Sequence, residues 1–87
     1  MNNQLILFSA PWCSPCATMK PVVKEVVVEY PIDLVNINVD EDDAMLAIKY
    51  KVRQIPTLLL LKDDKEVDRL VGSHNSKKIK EFISQTT

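Results

Sequence analysis

The only two cysteines of this 87-residue sequence, Cys13 and Cys16, are separated by two residues. Residues three apart at the start of a helix lie close enough for their sulfurs to bond. The backbone N–H groups and the macrodipole at that helix start stabilise a thiolate on the first cysteine, whereas the second lies one turn inside. The spacing therefore predicts a redox pair in which a readily exposed Cys13 attacks a disulfide and a more buried Cys16 resolves the mixed disulfide.

Two other roles for the pair are open at this level. A purely structural disulfide would close a ring of four residues, and loop entropy assigns it about 2 kcal/mol, against about 4 kcal/mol for a loop of about 60 residues. A zinc site normally has four ligands, but the only further Cys or His is His74. Two carboxylates or a second chain would have to complete it. The spacing favours redox chemistry, and we expect no bound metal or cofactor.

Hydrophobic periodicity places the cysteine pair between a strand and a helix. The continuous apolar run Leu5-Ile6-Leu7-Phe8 predicts a strand over residues 4–9 that is covered on both faces. Apolar residues at helical spacing from Met19 to Tyr30 predict a helix that begins at the pair. Pro15 suits its first turn, and Pro21 should kink it. The pair is thus expected at a helix entrance.

The same patterns predict the rest of the chain. The expected elements are a strand (32–39), a helix opened by acidic residues (40–50), a hairpin of two strands (57–61 and 66–71) around a turn (63–65), and a last helix (76–85). Helices between the early strands require parallel pairing through right-handed crossovers, and the hairpin adds antiparallel pairing. We therefore expect one α/β domain over residues 1–87, in the order βαβαββα, with a four-stranded mixed sheet and helices on both faces.

Composition excludes several classes of protein. Hydrophobic residues at 46% and charged residues at 26% match an ordinary globular domain rather than a disordered chain. A net charge of −1 gives no electrostatic reason to expect a nucleic acid or an anionic membrane as partner. The N-terminus lacks the pattern of a signal peptide, and the apolar runs are shorter than the ~20 residues of a membrane span. We expect a cytoplasmic protein without a membrane anchor.

Several segments are together more specific than a lone C-x-x-C motif. They are Ala10-Pro11-Trp12-Cys13-Ser14-Pro15-Cys16, Lys20-Pro21, Asn36-Ile37-Asn38-Val39-Asp40, Ile55-Pro56-Thr57 and Gly72. With the terminal helix, they resemble the thioredoxin family over nearly the whole chain. A typical thioredoxin begins with an additional strand and helix that have no counterpart here, so the resemblance implies a minimal, glutaredoxin-sized thioredoxin fold.

The resemblance also implies a function. It makes Cys13 the nucleophile and Cys16 the resolving thiol of a monomeric protein-disulfide reductase without a cofactor, acting on protein disulfides. A separate electron donor, such as a thioredoxin reductase, would re-reduce it. The bond before Pro56 is implied to be cis, which places the Ile55 backbone beside the cysteines. The implied substrate-binding residues form a shallow platform, namely Trp12, Ser14, Pro15, Ile55, Pro56, Val71, Gly72 and Ser73.

Three positions depart from the family pattern. Leu7 stands where the family commonly carries a buried aspartate that helps to move the proton of the resolving thiol, and Asn36 replaces its lysine neighbour. Ser14 replaces the usual glycine. Without the carboxylate, Cys16 must lose its proton to water, to the departing thiolate or to a group that the sequence does not locate. His74 is interpreted as a solvated loop residue.

Alternative functions remain open from the sequence. Within the same chemistry, the protein could be an oxidase or isomerase, or react with glutathione as glutaredoxins do. In a different class, it could be a non-catalytic thioredoxin-fold binding module, although the intact cysteine pair argues against this.

Overall fold

The computed structural model of the chain describes residues 3–42 and 45–86. Its elements are β1 (Asn3–Ser9), α1 (Ser14–Val27), β2 (Asp33–Asn38), a 3₁₀ helix (Val39–Glu41), α2 (Leu46–Lys49), β3 (Thr57–Lys62), β4 (Lys65–Val71), α3 (Ser76–Ile83) and a second 3₁₀ helix (Ser84–Thr86). This order confirms the predicted βαβαββα arrangement. None of the helices in the described ranges has the length and apolar character to cross a membrane.

The four strands form one mixed sheet in the order β2-β1-β3-β4. Strand β1 pairs in parallel with β2, where Leu5 faces Leu34, and antiparallel with β3, where Leu5 faces Leu60. Strands β3 and β4 form the antiparallel hairpin. The two central strands are buried on both faces, which is why they appear in the sequence as continuous apolar runs.

Helices cover both faces of the sheet, as predicted. On one face, α1 and α3 pack on β1 and β3 through a cluster of buried side chains: Leu5, Leu7, Met19, Val23, Val26, Leu58, Leu60, Ile79, Phe82 and Ile83. On the other face, α2 and the segments that flank it cover a second cluster, formed by Ile6, Phe8, Leu59 and Leu61. Alternate residues of the central strands thus serve two separate cores.

The hairpin turn is two residues long. Asp63 and Asp64 have positive φ angles of 51° and 67°, the conformation of a type I′ turn, which matches the right-handed twist of the strands. Aspartate tolerates this region better than most residues. The predicted turn also included Lys65, which instead begins β4.

Helix α1 ends earlier than its apolar periodicity predicts. The expected end was Tyr30, but the helix stops at Val27, and the N–H groups of Glu29 and Tyr30 donate to carbonyls three residues back. Tyr30 still packs against the core formed with α1 and α3. The hydrophobic pattern therefore continued past the true helix end. Pro21 lies inside the helix as expected, and the kink stays a prediction.

The helix predicted over residues 40–50 is wrong in extent. The chain forms the 3₁₀ helix Val39–Glu41 and then the single turn of α2, because Met45 takes a left-handed φ of 55° that breaks any continuous helix. Asp43, one of the acids expected to open the helix, lies outside the described residues.

One acidic residue of this segment, Asp42, stabilises the start of a helix as predicted. The two carboxylate oxygens of Asp42 accept hydrogen bonds from the N–H groups of Leu46 and Ala47, at 3.0 and 2.8 Å. Both N–H groups lie at the start of α2, where backbone donors have no acceptor within the helix itself. Asp42 therefore stabilises this short helix by capping it, as its charge near the positive helix end predicts.

Candidate active site

The cysteine pair lies at the N-terminus of α1. Cys13 is the N-cap residue, and its Sγ accepts a hydrogen bond from the backbone N–H of Cys16 at 3.2 Å. The two residues form a disulfide, with 5.2 Å between their Cα atoms. Within residues 3–42 and 45–86, no three His, Cys, Asp or Glu side chains come together to hold a metal ion. The helix start thus directs a hydrogen-bond donor and its positive dipole end at the Cys13 sulfur.

Both sulfurs are largely covered in this oxidised form. Cys13 is 7% exposed and Cys16 is 2% exposed, so the order is as predicted. The expectation of a readily exposed Cys13 is nevertheless wrong, because Ala10, Val39 and Ile55 pack around the pair.

The loop before β3 lies against the disulfide. The Ile55–Pro56 peptide bond is cis, as the family resemblance implies. The Pro56 carbonyl accepts a hydrogen bond from the N–H of Gly72 at 2.8 Å, which joins this loop to the end of β4. Gly72 has a φ of 91°, which favours glycine. Ile55, Pro56 and Gly72 are therefore brought together beside the cysteines.

Trp12 presents a large exposed ring next to Cys13. The residue is 68% exposed, and its Nε1 donates a hydrogen bond to Oδ2 of Asp40 at 2.9 Å. The Asp40 N–H in turn donates to the side-chain oxygen of Asn38. No sequence pattern predicted that Asp40 would bind Trp12. The only sequence feature that pointed to Asp40 was its place in the Asn36–Asp40 segment of the family pattern.

The remaining platform residues differ in how closely the structure ties them to the pair. Ser14 and Pro15 are exposed in the first turn of α1, and Val71 is 44% exposed at the end of β4. Ser73 lines a groove of about 800 Å³ between α1 and α3, together with His74. Ser73 follows Gly72 directly in the sequence, but no described contact joins it to the disulfide.

His74 is held by the end of β4 rather than being only solvated, which corrects the sequence interpretation. Its Nε2 lies 2.9 Å from the carbonyl oxygen of Val71. The left-handed turn at Gly72 carries the chain back, so that the ring reaches this carbonyl.

Leu7, at the position where the family resemblance implies a buried carboxylate, lies in the interior of the protein. It is fully buried and faces Asn36 on the neighbouring strand. Its neighbours form the apolar core that α1 and α3 cover. Residues 7 and 36 therefore supply no charge to the resolving thiol.

Comparison with known proteins decides the family. The family model for Thioredoxin matches residues 1–85. The chain belongs to the thioredoxin family. It is 42% identical over 71 residues to thioredoxin 1 of Synechococcus elongatus, an alignment that covers 79% of this chain and 65% of that protein. It is 37% identical over 84 residues to thioredoxin of Staphylococcus aureus, covering 94% and 80% of the two chains.

Solved thioredoxins share the fold. The structure of Fasciola hepatica thioredoxin superposes with a TM-score of 0.88 at 34% identity, covering 99% of this chain and 82% of that one. The family and the Cys13–Cys16 disulfide make this chain a thiol–disulfide oxidoreductase of the protein-disulfide reductase type, which acts by dithiol–disulfide exchange. The relatives are longer than the region they share with it.

Proposed function

We propose that Cys13 is the attacking thiol and Cys16 the resolving thiol in the reduction of disulfides of other proteins. The observation that carries this assignment is the position of Cys13 Sγ as the hydrogen-bonded N-cap of α1, with Cys16 one turn inside and less exposed. A helix start stabilises a thiolate, so the outer sulfur is the better nucleophile and the better leaving group.

The reaction has two exchange steps. The Cys13 thiolate attacks one sulfur of the substrate disulfide, and the other substrate sulfur leaves as a thiolate that takes up a proton. The Cys16 thiol then loses its proton and attacks Cys13 Sγ, which releases the second substrate thiol. Two electrons pass from the protein dithiol to the substrate, and the Cys13–Cys16 disulfide remains. The second step is favoured by proximity, because the Cys16 thiol is held close to the sulfur that it attacks.

The surface around the disulfide is proposed as the substrate platform. Trp12 and Val71 are exposed apolar side chains, and Ile55 packs against the cysteine cluster. An extended segment of a substrate could pair with the backbone at Ile55, while its side chains rest on this surface. Ser14, Pro15, Pro56, Gly72 and Ser73 complete the proposed contact area.

The proposed setting is a cytoplasmic monomer that receives electrons from a separate donor such as a thioredoxin reductase. Support comes from the family, from relatives such as the Staphylococcus aureus thioredoxin, and from a net charge of −1, which favours neither nucleic acid nor anionic membrane. No resident cofactor is needed, because the two sulfurs carry the electrons.

Reduction of insulin by dithiothreitol as electron source tests the assignment of the cysteines. The wild type should accelerate the reaction, and Cys13→Ser should abolish the acceleration. Cys16→Ser should accumulate a mixed disulfide that mass spectrometry detects. Equal activity in the wild type and Cys13→Ser would contradict catalysis by Cys13, and inactivity of both would favour a non-catalytic binding module.

The direction of electron flow needs a separate measurement. A reductase should have a potential near the roughly −270 mV of reducing family members, whereas strong oxidants lie near about −120 mV. Equilibration with glutathione buffers gives this value. A potential close to that of the oxidants would favour an oxidase, and activity that depends on glutathione alone would favour a glutaredoxin-like reaction.

A further inference from the structure

A cavity of about 220 Å³ opens beside the resolving cysteine. Its walls include Ser9 at the end of β1, Asn38 at the end of β2, and Cys16 and Lys20 of α1. Ala10, Pro11 and Ala17 complete it. The volume is more than enough to admit water, and polar groups line part of the wall. Cys16, although only 2% exposed, therefore borders a cavity whose wall carries some polar groups.

Lys20 is the one charged side chain among the described residues that line this cavity. It follows Cys16 by four positions in α1, and residues at this spacing are neighbours on one helix face, with about 5–6 Å between Cβ atoms. A lysine side chain is long enough to bring its ammonium group toward a neighbouring sulfur, and a nearby cation favours the negative form of a thiol. Lys20 is itself exposed, so the desolvation penalty on its charge is small.

Other charged residues occur in the segments that pack against the cysteines. The segments that pack against the cysteine cluster are the 3₁₀ helix that contains Val39 and the loop that contains Ile55, and their nearby charged residues are Asp40, Glu41 and Arg53. None of the three lines the cavity. Asp40 is hydrogen-bonded to Trp12. Lys20 is thus the charged side chain that borders the same cavity as Cys16.

We propose that Lys20 is a positioning residue for the resolving step, and that its ammonium group stabilises the Cys16 thiolate while the cavity passes the proton to water. This inference rests on the proposed role of Cys16 as the resolving thiol. It makes water the acceptor of the Cys16 proton and Lys20 the charge that stabilises the thiolate, since buried Leu7 stands where the family pattern implies a carboxylate.

The step balances without a further reagent. The Cys16 thiol gives its proton to water in the cavity, and the thiolate attacks Cys13 Sγ. The Cys13–Cys16 bond forms as the bond from Cys13 to the substrate sulfur breaks, and the departing substrate thiolate takes up a proton from solvent. Lys20 takes no part in the proton transfer and acts only through its charge.

The Cys16 thiolate can be measured directly in a Cys13→Ser background. Its ultraviolet absorbance is followed against pH, with the protein that lacks both cysteines as the blank. Lys20→Met should raise the Cys16 pKa by about one unit, because a neighbouring cation shifts a thiol by this order. Lys20→Arg should restore it, since it keeps the charge. Lys24→Met removes a lysine one turn further along the same helix, outside the cavity, and should change nothing.

A kinetic readout separates a charge effect from a structural one. In the protein with both cysteines, Lys20→Met should slow decay of the mixed disulfide about three- to fourfold at neutral pH, because the higher nucleophilicity of a more basic thiolate offsets part of a tenfold loss of thiolate. This slowing should disappear at a pH where Cys16 is ionised in both proteins. An unchanged Cys16 titration in Lys20→Met, or an equal shift in Lys24→Met, overturns the inference. If insulin reduction still requires Cys13, that outcome leaves the proposed function standing. Equal insulin reduction by wild type and Cys13→Ser would instead count against the function itself.

Discussion

The indole N–H of Trp12 and the carboxylate of Asp40, 28 positions apart, are joined by a 2.9 Å hydrogen bond. The ring is otherwise 68% exposed, so this bond restrains it where it borders the disulfide. Asp40 is itself oriented by the side chain of Asn38, which accepts from its N–H. The exposed ring therefore has a defined position for contact with a substrate.

Removal of this restraint should weaken substrate binding. Asp40→Ala should raise the KM for a protein disulfide about two- to fivefold with little change in kcat, because an exposed hydrogen bond contributes about 0.5–1 kcal/mol. Since Trp12 is the only tryptophan, its fluorescence should change as well. Glu41→Ala, which removes the neighbouring acid of the same 3₁₀ helix, is the control. Unchanged KM and fluorescence in Asp40→Ala would contradict a restraining role.

A carboxylate at position 7 should change the pH dependence of turnover. Leu7→Asp places an ionisable group in a fully buried position, and burial raises the pKa of a carboxyl. Leu7→Asn has nearly the same shape without a titratable proton, so the difference between the two variants isolates the titration. Both should lose several kcal/mol of stability, since a buried leucine is replaced by a polar group. Identical pH profiles of kcat/KM for the two folded variants would sink the idea.

The cap on α2 should be measurable as stability. Asp42→Ala removes both acceptors of the Leu46 and Ala47 N–H groups and should lower the free energy of unfolding by about 1 kcal/mol in urea titrations. Asp42→Asn keeps one oxygen acceptor and should lose less. Equal stability of the wild type and Asp42→Ala would show that water replaces the cap without cost.

The ion pair of β4 should make stability depend on pH. The hydrogen bonds from the Arg69 guanidinium lower the pKa of Glu66 below its usual value of 4.5. A lowered carboxyl pKa gives stability that is present above the usual value and is lost as the pH falls through the pKa of the folded state. Glu66→Gln should therefore lose about 0.5 kcal/mol at neutral pH, which is typical of a partly exposed pair.

The acid limit and the salt dependence check this interpretation. Below the folded-state pKa, Glu66 is protonated, so the wild type and Glu66→Gln should unfold at the same urea concentration. High salt should also reduce the difference at neutral pH by screening. Glu41→Gln, which removes an exposed carboxylate that does not contact Arg69, is the matched control. A difference that persists at low pH would point to packing rather than charge.

Sequence reasoning succeeded where one pattern dominates a segment. The continuous apolar runs of β1 and β3 predict buried strands, and apolar residues at helical spacing predict a helix with one buried face: Met19, Val23 and Val26. Any other arrangement of these segments would expose large apolar surface. Sequence reasoning failed on the segment after β2. There, a left-handed residue at Met45 breaks the helix, and Asp42 caps only the short turn that follows. Neither feature leaves a periodic signal.

For the active site, the local part was predictable and the assembled part was not. Cys13 and Cys16 lie within one helical turn, so their spacing alone brings the sulfurs together. Other features of the site join residues that are distant in the sequence. They are the hydrogen bond from Gly72 to Pro56, the hydrogen bond from Trp12 to Asp40 and the packing that covers Cys13. Such contacts depend on how whole strands and loops pack.

The sequence by itself determined the reactive pair, the order of the elements and the two-faced sheet, because each follows from short-range spacing or from the burial of apolar surface. Only the tertiary structure decided how little of Cys13 is exposed, and that Lys20 shares a cavity with Cys16. The physical reason is that solvent access and electric field at a sulfur are set by every element packed around it, including segments tens of residues away.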